Sequence, residues 1–104
     1  MTRIGIYGAR GRMGQELIQA VKLISDRAVL SAFYEVPGHP DIAKTFDGIR
    51  LTANLDEFLS QCETVIDFTS PAGTLALLKG NERFKKPLII GTTGLNDAQI
   101  AEIE

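Results

Sequence analysis

Cysteine occurs once in the 104 residues, at Cys62, and histidine once, at His39. A single thiol cannot close an internal disulfide, and nothing in the chain has the spacing of a metal-ligand set. No apolar run reaches the ~18 residues that a membrane span needs. The opening "MTRIGIYGARG" breaks into glycine and arginine too early for a signal peptide. Charge of one sign never gathers into a block: 11 Lys and Arg stand against 13 Asp and Glu, for a net charge of -2. Bulk nucleic-acid binding is thereby excluded. These absences predict a soluble, cytoplasmic protein with no metal, no membrane partner and no nucleic-acid partner. What is present is 44% hydrophobic residues, enough for one modest core and one domain.

The chain alternates strand-like and helix-like runs. Arg3 to Tyr7 is a short β-favouring run bounded by Gly8. From Arg12 the period changes: Met13, Leu17, Val21 and Ile24, with Ile18 beside them, make one apolar helical face. A second strand is predicted from Ala28 to Glu35, ended by "VPGHPD". Asp41 to Thr52 reads as a short helix followed by a weak strand around "GIRLT". Asn54 and Glu57 have the spacing of a capping box, which starts a helix over Leu55 to Gln61, before a strand from Thr64 to Phe68. Ser70 as N-cap with Pro71 at the first helical position opens another helix, closed by Gly80 or Asn81. The strand "PLIIG" follows, and Asn96 with Gln99 starts a last helix that runs to the end. Strands alternating with helices imply an α/β fold, a Rossmann-like doubly wound parallel sheet covered on both faces. Stopping two turns into an apolar-faced helix, the chain reads as cut, with its sheet incomplete at the C-terminal end.

Gly8, Gly11 and Gly14 form G-x-x-G-x-x-G between the first strand and its helix. The usual dinucleotide fingerprint has its first glycine where Ala9 stands, so the second and third glycines are in register and the first is displaced. A side chain at 11 would hold the backbone off a pyrophosphate, and one at 14 would push the helix off the strand. The alternative phosphate loop, G-x-x-x-x-G-K-[ST], is absent. A glycine turn alone is also a tight connection that binds nothing. Glu35, 21 residues beyond Gly14, adds the carboxylate that such folds place against the adenosine ribose. Arg10 and Arg12 are either phosphate partners or solvated arginines.

Ligands of open α/β sheets bind beyond the carboxyl ends of the strands. There "DFTSPAG" and "GTTG" gather Phe68, Thr69, Gly91, Thr92 and Thr93 on the edge that carries the glycine turn. Threonine hydroxyls there suit a carboxamide or ribose, and equally suit caps and turns. Asp67 reads as a structural acceptor for backbone N–H groups, His39 as a solvated loop residue and Cys62 as a partly buried structural thiol. Neither Tyr7 nor Tyr34 has a lysine four positions on, so no Tyr-x-x-x-Lys pair exists and no catalytic residue is assigned.

Gly8 to Gly14, "VIDFTSPAGTL" from Val65 to Leu75 and "IIGTTG" from Ile89 to Gly94, in this order and spacing, resemble the N-terminal half of the 4-hydroxy-tetrahydrodipicolinate reductase family. The resemblance covers essentially the whole chain. It implies lysine and diaminopimelate synthesis, in which NADH or NADPH delivers hydride to a cyclic imine dicarboxylate with loss of water. Carried over, Gly8, Ala9, Arg10, Gly11, Arg12 and Met13 would wrap the pyrophosphate and Glu35 would bind the adenosine ribose. Gly91, Thr92 and Thr93 would meet the nicotinamide, with Phe68 and Thr69 along the same path. Members that use NADPH well commonly have an arginine after the ribose-binding acid, whereas here Val36 and Pro37 follow, which favours NADH. The family's histidine pair, lysine and Ser-Gly-Thr loop lie in a C-terminal catalytic and tetramerisation domain that no segment here matches. The resemblance therefore implies a 1–104 cofactor domain that binds dinucleotide without turnover, within a homotetrameric full-length enzyme. A stand-alone nucleotide-sensing module and the cofactor domain of another amino-acid-pathway dehydrogenase are the alternatives.

Overall fold

β1 (Thr2–Tyr7) runs into the glycine turn and α1 (Arg12–Leu23), which leads back to β2 (Ala28–Tyr34). There follow β3 (Thr45–Phe46), β4 (Ile49–Thr52), α2 (Leu55–Ser60), β5 (Thr64–Asp67), α3 (Pro71–Gly80) and β6 (Leu88–Ile90). The structure is a computed structural model and describes residues 2–91. The strands form one sheet in the order β3-β4-β2-β1-β5-β6. All neighbours are parallel except β3 and β4. From β1 the chain first builds outward through β2, then crosses to the other side of β1 at β5. The carboxyl ends of β1 and β5 thus flank a topological switch point, where such sheets open a crevice.

The alternation of side chains along β1 explains why the sheet is covered on both faces. Ile4 and Ile6 point to one face, where Ile18 and Val21 of α1 pack with Phe33 and Leu51. Gly5 and Tyr7 point to the other, where Phe58, Leu59 and Leu77 of α2 and α3 pack with Tyr34 and Val65. Burying each such large apolar side chain contributes about 1.5–3 kcal/mol. Gly5 is required by close approach: a Cβ there would lie 2.7 Å from Cys62 Sγ and 2.9 Å from the Phe58 ring. Cys62 is fully buried, further in than the sequence suggests.

The apolar face of α1 is found as predicted at Leu17, Ile18 and Val21 and is corrected at its two ends. Its buried residues are Gly14, Ile18 and Val21, whereas Met13 is 39% and Ile24 44% exposed. Gly14 is the residue that must face the turn, so Met13 is rotated outward. Ile24 is the C-cap, with φ -115 and ψ 37, beyond the helical arc.

The short helix predicted at the start of Asp41–Thr52 is absent. Turns occupy that stretch and lead into an antiparallel hairpin, in which Thr45 pairs with Arg50 and Phe46 with Ile49. Asp47 and Gly48 close it, both with positive φ, at 52 and 78. Two consecutive left-handed residues match the twist of a tight hairpin, and Asp-Gly is a favoured pair for that geometry. The weak strand around "GIRLT" is β4.

Asn54 caps α2 by accepting from Glu57 N at 3.0 Å. The reciprocal half of the box is replaced, because Glu57 Oε2 accepts from Thr52 Oγ1 at 3.2 Å and Thr52 Oγ1 accepts from Asn54 N at 3.0 Å. Ser70 caps α3 as predicted, accepting from Gly73 N at 3.1 Å, with Pro71 in the first turn and Asn81 closing the helix. The helix predicted from Asn96 lies outside the described residues. Among the described residues, no helix is long and apolar enough to cross a membrane.

Candidate functional site

β1 and β2 end level with each other, Tyr7 opposite Tyr34, and the chain turns at Gly8 with φ +88. The Tyr34 carbonyl accepts from both Gly8 N and Ala9 N, at 2.9 and 3.1 Å, so the turn is stitched to the end of β2. The three glycines have separate reasons. Gly8 supplies the left-handed backbone. Gly14 lets α1 lie on the turn, since a Cβ there would run into the Gly8 carbonyl oxygen and sit 3.0 Å from Ala9 backbone atoms. Gly11 has neither constraint: its φ -72 and ψ 170 suit any residue, and a Cβ would meet only Gly8 O at 3.4 Å. Packing within the chain does not explain a glycine there. It leaves the outer face of the turn bare at the start of α1. Gly11 is the N-cap, no side chain caps α1, and its first turn holds no acid. The first N–H groups of α1 are therefore left without a side-chain acceptor, and such a donor set suits a pyrophosphate.

Glu35 follows β2 and is 9% exposed. Its Oε2 accepts from Arg10 N at 3.0 Å and its Oε1 from Val36 N at 3.1 Å. Two backbone donors fix the carboxylate while each oxygen keeps capacity for a further donor, such as a ribose hydroxyl. The Arg10 side chain reaches the β3–β4 hairpin, lining with Gln15, Ile18 and Gln19 of α1 and with Thr45, Phe46 and Asp47 a cleft between the helix and the hairpin. Its Nε donates to Asp41 Oδ2 at 3.1 Å, and its guanidinium carbon lies 4.1 Å from the centre of the Phe46 ring. Asp41 Oδ1 accepts from Lys44 Nζ at 3.1 Å. Lys44 first, and then Arg10, hold the Asp41 carboxyl below its ordinary range. Asp41 N donates to Nδ1 of the half-buried His39 at 3.0 Å. Arg12 and Met13 are exposed, and no described residue forms an ion pair with Arg12.

On the far side of β1, β5 ends in the fully buried Asp67. Its Oδ1 accepts from Thr69 N at 2.9 Å and Thr69 Oγ1 at 2.6 Å, and its Oδ2 from Thr74 Oγ1 at 2.6 Å. Asp67 is thus the structural acceptor the sequence suggests, for hydroxyls as well as backbone. Thr69 consequently has its hydroxyl proton engaged and offers a ligand only acceptor capacity. Its methyl packs where a Cβ of Gly8 would be, which brings "DFT" against the glycine turn. Phe68 covers Gly91 in the same way, and Gly91 N donates to Asp67 O at 2.8 Å. Thr92 and Thr93 lie outside the described residues.

Between the two halves runs a groove of about 110 Å³ lined by Tyr7, Gly8, Tyr34, Glu35, Thr69 and Ser70. Tyr7 and Tyr34 form part of its wall, stacked with ring centres 4.7 Å apart and planes 4° apart. Tyr7 OH donates to Gly73 O at 2.7 Å. Burial raises the Tyr7 hydroxyl well above its ordinary range, and burial followed by the Glu35 charge raises Tyr34. The absence of a Tyr-x-x-x-Lys pair gives neither tyrosine a place in the site from sequence. Their signal was positional: each is the last residue of a neighbouring parallel strand. A larger cleft of about 320 Å³, beside Val21, Ala28 and Ile49, lies at the opposite end of β2 and away from the glycine turn. Among the described residues, no cluster could hold a metal ion.

A glycine turn after the strand at the switch point, with a fixed carboxylate ending the next strand, defines a Rossmann-like domain of the dinucleotide-binding class. The family model described as "Dihydrodipicolinate reductase, N-terminus" matches residues 2–104. The chain belongs to this family. It is 42% identical over 98% of its length to the 4-hydroxy-tetrahydrodipicolinate reductase of Burkholderia lata, and 41% identical over 93% to that of Campylobacter curvus. It covers 41% and 37% of those two proteins, about two fifths of their length. Among solved structures it resembles a dipicolinate-bound dihydrodipicolinate reductase from Paenisporosarcina sp. TG-14, with TM-score 0.77 and 24% identity over 98% of this chain and 41% of that one. It also resembles the pyrroline carboxylate reductase of Plasmodium falciparum with NADP bound, with TM-score 0.68 and 20% identity over 97% of this chain and 37% of that one. At these identities the likeness establishes the Rossmann-like fold.

Proposed function

We propose that the chain is the cofactor-holding part of a 4-hydroxy-tetrahydrodipicolinate reductase of lysine and diaminopimelate synthesis. The single observation that carries the reading is Gly11, a glycine that nothing inside the chain requires, at the start of a helix whose first backbone N–H groups have no side-chain cap. The pyrophosphate of NADH or NADPH lies on Gly8 to Met13, and the adenosine ribose hydroxyls donate to Glu35. The nicotinamide end extends past Thr69 and Phe68 towards Gly91, Thr92 and Thr93. When bound, the reduced nicotinamide supplies the hydride. The residues of this chain orient and hold it: Glu35 is itself fixed by Arg10 N and Val36 N, and Asp67 fixes the backbone at Thr69. NADH is the favoured cofactor, because Val36 and Pro37 follow Glu35 where a 2'-phosphate would require a cation.

Among the described residues none is positioned as proton donor or substrate clamp, and on this reading reduction of the cyclic imine dicarboxylate falls to the remainder of the enzyme, which also forms the homotetramer in the cytoplasm. The chain by itself binds dinucleotide and does not turn over. Calorimetric titration with NADH and with NADPH tests the reading. Saturable 1:1 binding of at least one is the expected result, and heat of dilution alone for both would remove it. Replacing Glu35 by Ala should weaken NADH binding, and an unchanged affinity would take Glu35 out of the site.

A further inference from the structure

Arg10 is a cation within the glycine turn whose backbone N–H touches the Glu35 carboxylate, so it stands at the ribose end of the site under the reading above. It is the natural candidate to receive a 2'-phosphate in place of the arginine missing after Glu35. Its surroundings argue the opposite. A guanidinium grips an anion best through a two-donor fork, and the side-on fork uses Nε. Here Nε is already given to Asp41 Oδ2 at 3.1 Å, and one face of the group lies on Phe46. Among the described residues nothing accepts from the two terminal nitrogens, so only the end-on edge remains open. Within the set of groups linked to Arg10 the charges cancel, Glu35 and Asp41 balancing Arg10 and Lys44, and a 2'-phosphate brings nearly two further negative charges. The Asp41 and Arg10 side chains are 22% and 28% exposed, so their interaction is only partly screened by solvent.

We infer that Asp41 sets the dinucleotide preference of this protein: by occupying Arg10 Nε and offsetting its charge against Phe46, it removes the side-on fork, weakens the pull of the remaining end-on edge on a 2'-phosphate and favours NADH over NADPH. Asp41 is a positioning residue, acting through Arg10 without touching the cofactor itself. The inference rests on the proposed placement of the adenosine ribose at Glu35.

The test compares NADH and NADPH dissociation constants in the intact protein for wild type, Asp41→Asn, Arg10→Ala and the double variant. Asp41→Asn keeps the shape and removes the charge. It should raise affinity for NADPH relative to NADH by roughly five- to tenfold, an effect that fades with added salt. With Arg10 replaced by Ala, the same change should move the ratio less than twofold. Asp41→Glu, which keeps a carboxylate within reach of Nε, should restore the wild-type ratio. Because the two cofactors differ only in the 2'-phosphate, a general loosening of the loop would weaken both and leave the ratio alone. An unmoved ratio in folded Asp41→Asn overturns the inference, as does an equal shift with and without Arg10. If wild type binds neither dinucleotide, the reading of the site fails and the inference fails with it. If all four variants bind with one ratio, only the inference fails.

Discussion

Gly11 and Gly14 sit three residues apart in one turn, and replacing each by Ala should separate binding from stability. At Gly14 the new Cβ meets the Gly8 carbonyl oxygen and two Ala9 backbone atoms, none of which is the end of a flexible side chain. Overpacking of this kind costs about 1–3 kcal/mol, and clashes with backbone belong at the upper end. Gly14 lies in α1, where Ala gains about 1 kcal/mol of helix propensity. The net is a loss of about 2 kcal/mol, or on the order of 10 °C in Tm for a domain of this size. At Gly11 the backbone suits Ala and the nearest atom is Gly8 O at 3.4 Å. Stability should change by less than about 1 kcal/mol, because the stiffer unfolded chain contributes about 0.4–1 kcal/mol while Ala in place of Gly at the N-cap loses a similar amount. The methyl group nevertheless covers the bare face of the turn, so NADH should bind at least about tenfold more weakly, a loss of about 1.4 kcal/mol. Thermal melts and calorimetric titration of both variants read the two effects independently. A folded Gly11→Ala protein with wild-type NADH affinity would refute the placement of the pyrophosphate. A Gly14→Ala protein that melts with wild type would refute the packing argument.

Asp67→Asn removes charge from a buried carboxylate that accepts from Thr69 N, Thr69 Oγ1 and Thr74 Oγ1; urea denaturation should show a loss of about 2–3 kcal/mol, and an unchanged midpoint would show those donors satisfied elsewhere. Tyr7→Phe should lose about 1 kcal/mol at neutral pH with its hydrogen bond to Gly73 O. The pH dependence follows from the raised Tyr7 hydroxyl: the unfolded chain ionises first, near the ordinary value of 10.0, so this contribution is whole below that pH and is lost as pH rises above it. The variant's Tm should therefore fall less steeply above pH ~10, with Tyr34 retaining part of the slope; parallel alkaline limbs would contradict the burial argument. Gly48→Ala forces a Cβ onto φ 78 in the Asp-Gly turn and should cost about 1–2 kcal/mol in a thermal melt, whereas a wild-type Tm would mean the hairpin contributes little.

The parts of the fold legible in the sequence are those written in local signals. The strand before Gly8, the Ser70-Pro71 start of α3 and the Asn54 cap each rest on residues within four positions of one another, and each is found in place. The β3–β4 hairpin is harder to read because β3 is two residues long, too short to show a period, and its Asp-Gly pair falls where the sequence suggests a short helix passing into the weak strand "GIRLT". The start of the apolar face of α1 is corrected for a different reason. Periodicity ranks Met13 above Gly14 as a core residue, whereas the turn demands at that point the residue with no side chain. A glycine can thus mark the buried side of a helix when the helix must lie on backbone.

At the site, the same division separates what the glycines disclose from what the side chains do. Gly8, Gly14 and Glu35 are legible because the backbone dictates them: Gly8 by its φ, Gly14 by close approach and Glu35 by the end of a strand. The partners of Arg10 are not legible, since Asp41 and Phe46 reach it only because β4 pairs with β2 and carries the hairpin beside the turn. Those residues lie 31 and 36 positions further along the chain, in the segment whose structure was misread. An arginine beside a phosphate turn reads from sequence as a phosphate ligand, and its tether decides whether it can act as one. On the inference drawn from Asp41, cofactor preference in this domain would depend on an acid that reaches the glycine turn from the sheet's edge as well as on the residue after Glu35.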